Sequence, residues 1–209
     1  MNEQPIVRLI DDDEIFLMSQ KLLLETRGFS VETYSSAKAF LENDRLSRPG
    51  CAVADDIRMP GLTGLEMQTI LESRRSTLPL IFLTGHGDVS MAVHTMRHGA
   101  ADFLEKPVKP DVLIAVVTKA VEASVKAWQA GREKAHVEAL YAELTPRERE
   151  VVARAALDTP NKVIARELGI GEPTVKMHRA NAFAKLGVNS VLEAYRLLDG
   201  AGLLPKNGA

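Results

Sequence analysis

The chain has 209 residues, 45% of them hydrophobic and 26% charged, with a formal net charge of −2 and one cysteine. That length supports one large domain or two modest ones with a real core. It holds no apolar run long enough to span a bilayer, and "MNEQPIVRLIDDD" has neither the basic start nor the apolar stretch of a secretory signal, so a cytoplasmic protein is expected. Cys51 has no partner for an internal disulfide, which fits a reducing compartment. The charge is uneven. Residues 1–144 carry 16 basic and 21 acidic side chains, and residues 145–209 carry 10 and 7. An acidic front and a mildly basic back suggest two functions, with any polyanion partner at the back.

The front half alternates strand-like and helical runs. Strands are expected at 6–10, 29–34, 51–55, 78–84 and 101–105, with helices at about 14–27, 36–44, 64–75, 88–98 and from 110 onward. Five such units predict an α/β doubly wound parallel sheet, covered on both faces, with its ligand site beyond the carboxyl ends of the strands. From 110 the helical pattern runs on and its apolar stripe fades. A linker at about 124–143 either pairs with a second chain or is a solvated connector, since no heptad repeat is sustained. "LTPRERE" then opens a small all-helical region, with Thr145 capping, Pro146 in the first turn and Glu148 behind it. Its helices are expected at about 146–157, 161–168, 172–185 and 189–198.

Chemistry concentrates at the strand ends. The first strand ends in Asp11, Asp12 and Asp13, the third in Asp55 and Asp56, the fourth in Thr84, and the fifth in Lys106 and Pro107. "DDDE" alone also reads as a solvated helix start. Four strand ends delivering carboxylates, a hydroxyl and an ammonium to one edge favour a site. Clustered carboxylates without Cys or His point to Mg²⁺, beside which a carboxylate can accept a phosphoryl group.

The pattern "IDDDE … DDIRMPGLTGLE … FLTGHGD … AADFLEKP" resembles the receiver domain of two-component response regulators, over about 5–122. In that motif the phospho-acceptor stands four residues before a proline, and counting back from Pro60 gives Asp56. The resemblance makes Asp12 a direct Mg²⁺ ligand, Asp11 one through water, and the Arg58 backbone carbonyl a further ligand beside Asp56. It makes Thr84 the switch hydroxyl, Lys106 the phosphate-binding lysine and Phe103 the aromatic switch. Asp13 falls outside the acid pair. Asp55 departs from the family pattern, and its strand parity suggests an ion pair with Arg8, the alternative being contact with water or a helix end. His94 and His98 lie one helical turn apart, but a solvated helix face explains them better than a metal site.

In the back half, "NKVIARELGIGEPTVKMHRANAFAKLGV" places two short helices around a glycine-containing turn, with basic residues left outside the core. Such a module binds a DNA groove or another protein. The segment "LTPREREV … NKVIARELGI … PTVKMHRANAFAKLGV" is similar to the LuxR-type helix-turn-helix. The whole chain then resembles response regulators of the FixJ/NarL class: a receiver at 1–122, a helical linker at 123–143 and a DNA-binding domain at 144–209. The resemblance implies base contacts from Lys176, Met177 and Ala180, and phosphate contacts from Thr174, Arg179 and Lys185. It also implies a sensor histidine kinase that phosphorylates Asp56, double-stranded DNA as target, a homodimer when phosphorylated, and no turnover of an external substrate. Three alternatives are an Asp-based phosphatase, a regulator whose receiver only dimerises, and a protein-binding output domain.

Overall fold

In the computed structural model, residues 3–55, 59–85 and 89–205 are described, without the side chains of 89–91. The described chain forms two compact units, one ending at Gln129 and the other starting at Ala130.

The first unit is a five-stranded parallel sheet in the order β2-β1-β3-β4-β5. The strands are β1 (Ile6–Ile10), β2 (Ser30–Tyr34), β3 (Gly50–Ala54), β4 (Leu80–Thr84) and β5 (Asp102–Glu105). They alternate with α1 (Glu14–Glu25), α2 (Ala37–Asn43), α3 (Gly64–Ser73) and α4 (Val89–Arg97), and α5 (Pro110–Ala142) follows. Each expected element is present, with ends displaced by at most two residues up to α5.

Strands β1, β3 and β4 are buried along their whole length and are apolar apart from Arg8 in β1 and Thr84 at the end of β4. Side-chain alternation divides the core into two layers. Val7, Leu9, Cys51 and Val53 pack with Leu17 of α1 and with Leu113 and Val117 of α5. Ile10, Ala52 and Ala54 pack on the other face with Phe40 of α2 and Met67 of α3. Register between β1 and β3 is pinned at Gly50, which pairs with Ile6 at φ +139°. A Cβ there would lie 1.8 Å from the Ile6 carbonyl oxygen, so only glycine fits.

Helix α5 is continuous for 33 residues through the segment expected as a linker. Its last turns belong to the second unit, where Val137 is buried and Leu140 and Tyr141 pack against Leu144 and Val152. These sparse apolar positions are enough to hold the helix end on its own core. The rest of that unit is α6 (Pro146–Ala156), α7 (Asn161–Leu168), α8 (Glu172–Leu186) and α9 (Val191–Gly200). Helix α6 opens with the expected capping box between Thr145 and Glu148. The turn between α7 and α8 begins at Gly169 in the left-handed conformation, φ 65°, which closes α7 and redirects the chain.

Candidate functional site

The carboxyl edge of the sheet gathers the expected groups within the described residues. Asp11 follows β1 directly and is buried. Its carboxylate accepts from the Asp13 N–H at 3.1 Å, while Asp13 itself caps α1 by accepting from the N–H groups of Ile15 and Phe16. That cap gives the third acid of the run a structural job. Asp12 is exposed beside them. Thr84 ends β4 and is buried, and its carbonyl accepts from the Lys106 N–H at 2.8 Å. Phe103 lies half-buried on β5 opposite Phe82, within the second core layer.

Asp55 sits at the centre of this group. It is 3% exposed, and its N–H donates to the Ile10 carbonyl at 2.9 Å, extending the β1–β3 ladder one step past Ala54. Lys106 Nζ donates to Asp55 Oδ2 at 2.5 Å while lying 4.6 Å from the centroid of the Phe16 ring. Among the described residues, Asp55 Oδ1 is buried with no hydrogen-bond partner, as is Asp44 Oδ1. Burial, with the hydrogen bond shared with Asp11, pushes the Asp55 carboxyl up to about 8, against the pull of Lys106. Burial also opposes charge on Asp11, but hydrogen bonds from Asp55, the Asp13 backbone and Asp12, helped by the Lys106 charge, hold it below the usual carboxylate range. One member of the adjacent acid pair stays charged and its neighbour is discouraged from ionising beside it.

The suggested Arg8–Asp55 pair is not formed. Arg8 is fully buried and its Nε donates to Asp44 Oδ2 at 2.6 Å, with further bonds to the carbonyls of Ile6, Arg45 and Arg48. The parity expectation fails for a definite reason. It placed Asp11 and Asp56 on one face, whereas Ile10 pairs with Ala54 and so Asp11 stands beside Asp55. Arg8 points to the opposite face, over α2 and its following loop. Asp56 and Arg58 lie outside the described residues. His94 and His98 stack at 4.1 Å between ring centroids on α4, and His98 Nδ1 contacts the His94 carbonyl at 2.8 Å. Cys51 is buried in the core, and burial pushes its thiol up to about 12. Such a thiol is unreactive.

On the second unit, α8 exposes Lys176, Met177 and Ala180 along one face, while Val175, Ala182 and Leu186 face the core. Thr174 is half-buried near the helix start. Arg179 Nη1 donates to Asn161 Oδ1 at 3.2 Å, with its guanidinium 5.5 Å from the Phe183 ring, so the cation is held in place. Lys185 differs from expectation. Its Nζ pairs with Glu148 Oε2 at 2.6 Å, tying the end of α8 to the capping box of α6. The buried Glu148 carboxylate attracts it inward, a contact that spacing along one helix cannot show.

Residues 7–118 match the family model for the response regulator receiver domain, and residues 142–198 match that for bacterial regulatory proteins of the luxR family. The chain belongs to the two-component response regulators. The transcriptional regulatory protein FixJ of Bradyrhizobium diazoefficiens is 39% identical over 198 residues, covering 95% of this chain and 96% of that one. The response regulator protein TodT of Pseudomonas putida is 34% identical over 194 residues, covering 93% and 85%. Among solved structures, the response regulator StyR matches with a TM-score of 0.86 at 38% identity, covering 94% of this chain and 98% of that one. Full-length FixJ from B. japonicum matches with a TM-score of 0.56 at 38% identity, covering 96% and 98%. This response regulator therefore joins a receiver to a LuxR-type DNA-binding domain and is not a turnover enzyme. Receiver domains of this kind bind Mg²⁺ at the phosphorylation site. The family implies a histidine kinase and DNA as partners. Among the described residues no helix is long and apolar enough to cross a membrane.

Proposed function

We propose that this response regulator is phosphorylated by a sensor histidine kinase on an aspartate at the end of β3, self-associates through its receiver, and binds promoter DNA through α8. Lys106 carries the reading. Its ammonium is aimed at a strand-end carboxylate, where it can pair with phosphoryl oxygens as they arrive. The acceptor is Asp56, four residues before Pro60 as the receiver motif implies.

Mg²⁺ fits the donor chemistry. Among the described residues no three Asp, Glu, His or Cys side chains close on a single cation position. Mg²⁺ needs only one or two carboxylates, because waters and phosphate oxygens complete its shell. Asp11 and Asp12 supply hard oxygens, joined, as the motif implies, by Asp56 and the Arg58 backbone carbonyl. When bound, the ion neutralises the acids and the incoming phosphoryl oxygens. Thr84 then takes a phosphoryl oxygen through its hydroxyl, and Phe103 packs inward behind it. The change needed at the face of α4 and β5 is a population shift of a few kcal/mol.

Phosphorylated receivers pair and bring two copies of α8 to half-sites about one helical turn apart. Lys176, Met177 and Ala180 face base edges, while Thr174 and Arg179 contact phosphates. Lys185 joins them only by giving up Glu148. The regulator works in the cytoplasm, where kinase and chromosome meet. Intact-mass measurement after acetyl phosphate and Mg²⁺ tests the reading. The full-length chain is expected to gain the mass of one phosphoryl group, and the Asp56→Asn variant none. An unlabelled wild type beside a labelled control regulator would contradict it.

A further inference from the structure

We infer that Asn161 is a positioning residue for DNA binding, one that directs the Arg179 guanidinium to the phosphate backbone without cancelling its charge. The inference rests on the reading of Arg179 as a phosphate contact and names the residue that sets that contact.

Asn161 is the first residue of α7, and Arg179 lies midway along α8. Asn161 Oδ1 accepts from Arg179 Nη1 at 3.2 Å. Phe183 stands one turn further along α8, and the guanidinium carbon is 5.5 Å from its ring centroid. Phe183 in turn packs on the core of this unit. An amide and a ring, each fixed by its own helix, therefore hold the cation together. Arg179 is half-buried, while Lys176 and Ala180 beside it are exposed. Its aliphatic stem lies on the protein and its charged head borders the exposed face of α8.

The chemistry of the partner carries the argument. Arg154 of α6 pairs with Glu167 of α7 at 2.9 Å, and Lys185 of α8 pairs with Glu148 at 2.6 Å. Carboxylates hold those two cations and cancel their charge. Asn161 presents a neutral carbonyl oxygen, which fixes a direction and leaves the positive charge whole. A guanidinium carries further N–H donors besides the one given to Asn161, and these can meet phosphate oxygens. A long cation without such a support spreads over many rotamers, and ordering it on DNA weakens binding. Asn161 removes that cost in advance. It acts on DNA through Arg179 alone, which separates it from a residue that only supports α7 or touches DNA itself.

A double-variant cycle on the full-length chain, treated with acetyl phosphate and Mg²⁺, tests this. Binding to a mixed-sequence DNA duplex is followed by fluorescence anisotropy over roughly 50–200 mM salt. Asn161→Ala is expected to weaken binding roughly three- to tenfold and to leave the salt slope unchanged, because no charge is lost. Arg179→Gln should lower the slope by about one per bound copy. In the Arg179→Gln background, Asn161→Ala should cost nothing further. Asn161→Asp keeps the side-chain shape and serves as the second variant if alanine disturbs α7. Its carboxylate cancels the guanidinium, so it should lower the slope, and by less once Arg179 is gone. Equal losses from Asn161→Ala with and without Arg179 would overturn the inference, as would wild-type affinity in Asn161→Ala or a wild-type slope in Asn161→Asp. An unchanged slope in Arg179→Gln would remove the phosphate contact and this inference with it. No binding by the wild type, beside a control regulator that binds, would remove the DNA-binding role of α8 as well.

Discussion

Two ion pairs with buried carboxylates are built around the receiver sheet, and they differ in how many acids share the cation. Arg8 meets Asp44 one to one. The guanidinium spends further donors on three backbone carbonyls, and the Tyr34 hydroxyl donates to the same Asp44 oxygen at 2.8 Å. At the opposite end, Lys106 faces Asp55 with Asp11 beside it, so two acids share one ammonium. The balanced pair anchors the loop after α2. The crowded one keeps Asp11 charged at the expense of Asp55, a conflict that a bound cation would relieve. Acids crowded around one cation therefore point to a ligand site, and a one-to-one pair to a structural anchor.

The largest effect that sharpens this contrast is at Arg8. Arg8→Met leaves the Asp44 carboxylate buried without its counter-charge and should destabilise the receiver by roughly 3–5 kcal/mol, whereas Arg8→Met/Asp44→Leu should recover most of the loss. Urea unfolding followed by hydrogen exchange of the β1 and β3 amides measures both. A single variant as stable as wild type would break the comparison.

Next comes the cation itself. Mg²⁺ at a hundredfold excess over its Kd should stabilise the receiver by about 2.7 kcal/mol through mass action, and chelation should reverse it. Arg8 variants should keep this response, because their site is separate, and Asp11→Asn should weaken it.

Asp55→Asn provides the third test. It keeps the shape of the side chain and the acceptor for Lys106 but removes one of two crowded acids. The receiver should gain about 1 kcal/mol in Mg²⁺-free buffer, opposite in sign to the Arg8 substitution.

The smallest effect lies outside the receiver, at Glu148. Its carboxyl is held below the usual range, first by Lys185 and then by the Thr145 N–H. A carboxyl lowered by folding contributes stability above its unfolded pKa and loses it as pH falls through the folded value. Protection of α6 amides should thus decline below about pH 4, the ordinary glutamate range. Glu148→Ala, which opens the capping box, should cost about 1 kcal/mol at neutral pH and flatten that decline.

Much of this was legible in the amino-acid sequence. Short apolar runs located all five strands, the Thr145–Glu148 spacing located α6, and the strand-end acids located the pocket. The pairing of Asp55 was not legible, because parity was counted on the assumption that Asp11 and Asp56 share a face. The signal that could have corrected it is Gly50, from which five paired residues lead to Asp55. Lys185 and Glu148 are 37 residues apart, and only tertiary packing brings them together. Arg8 reads as a strand residue of one parity, yet its long side chain finds Asp44 in a loop that no periodicity describes.

Charge settled at the sheet edge is expected to control DNA binding by α8. Genome-wide capture of DNA fragments by the full-length chain, with and without acetyl phosphate and Mg²⁺, tests it most directly. A defined set of fragments should be enriched only with phosphodonor and lost in Lys106→Met. Equal capture of the same fragments in every condition would contradict the claim.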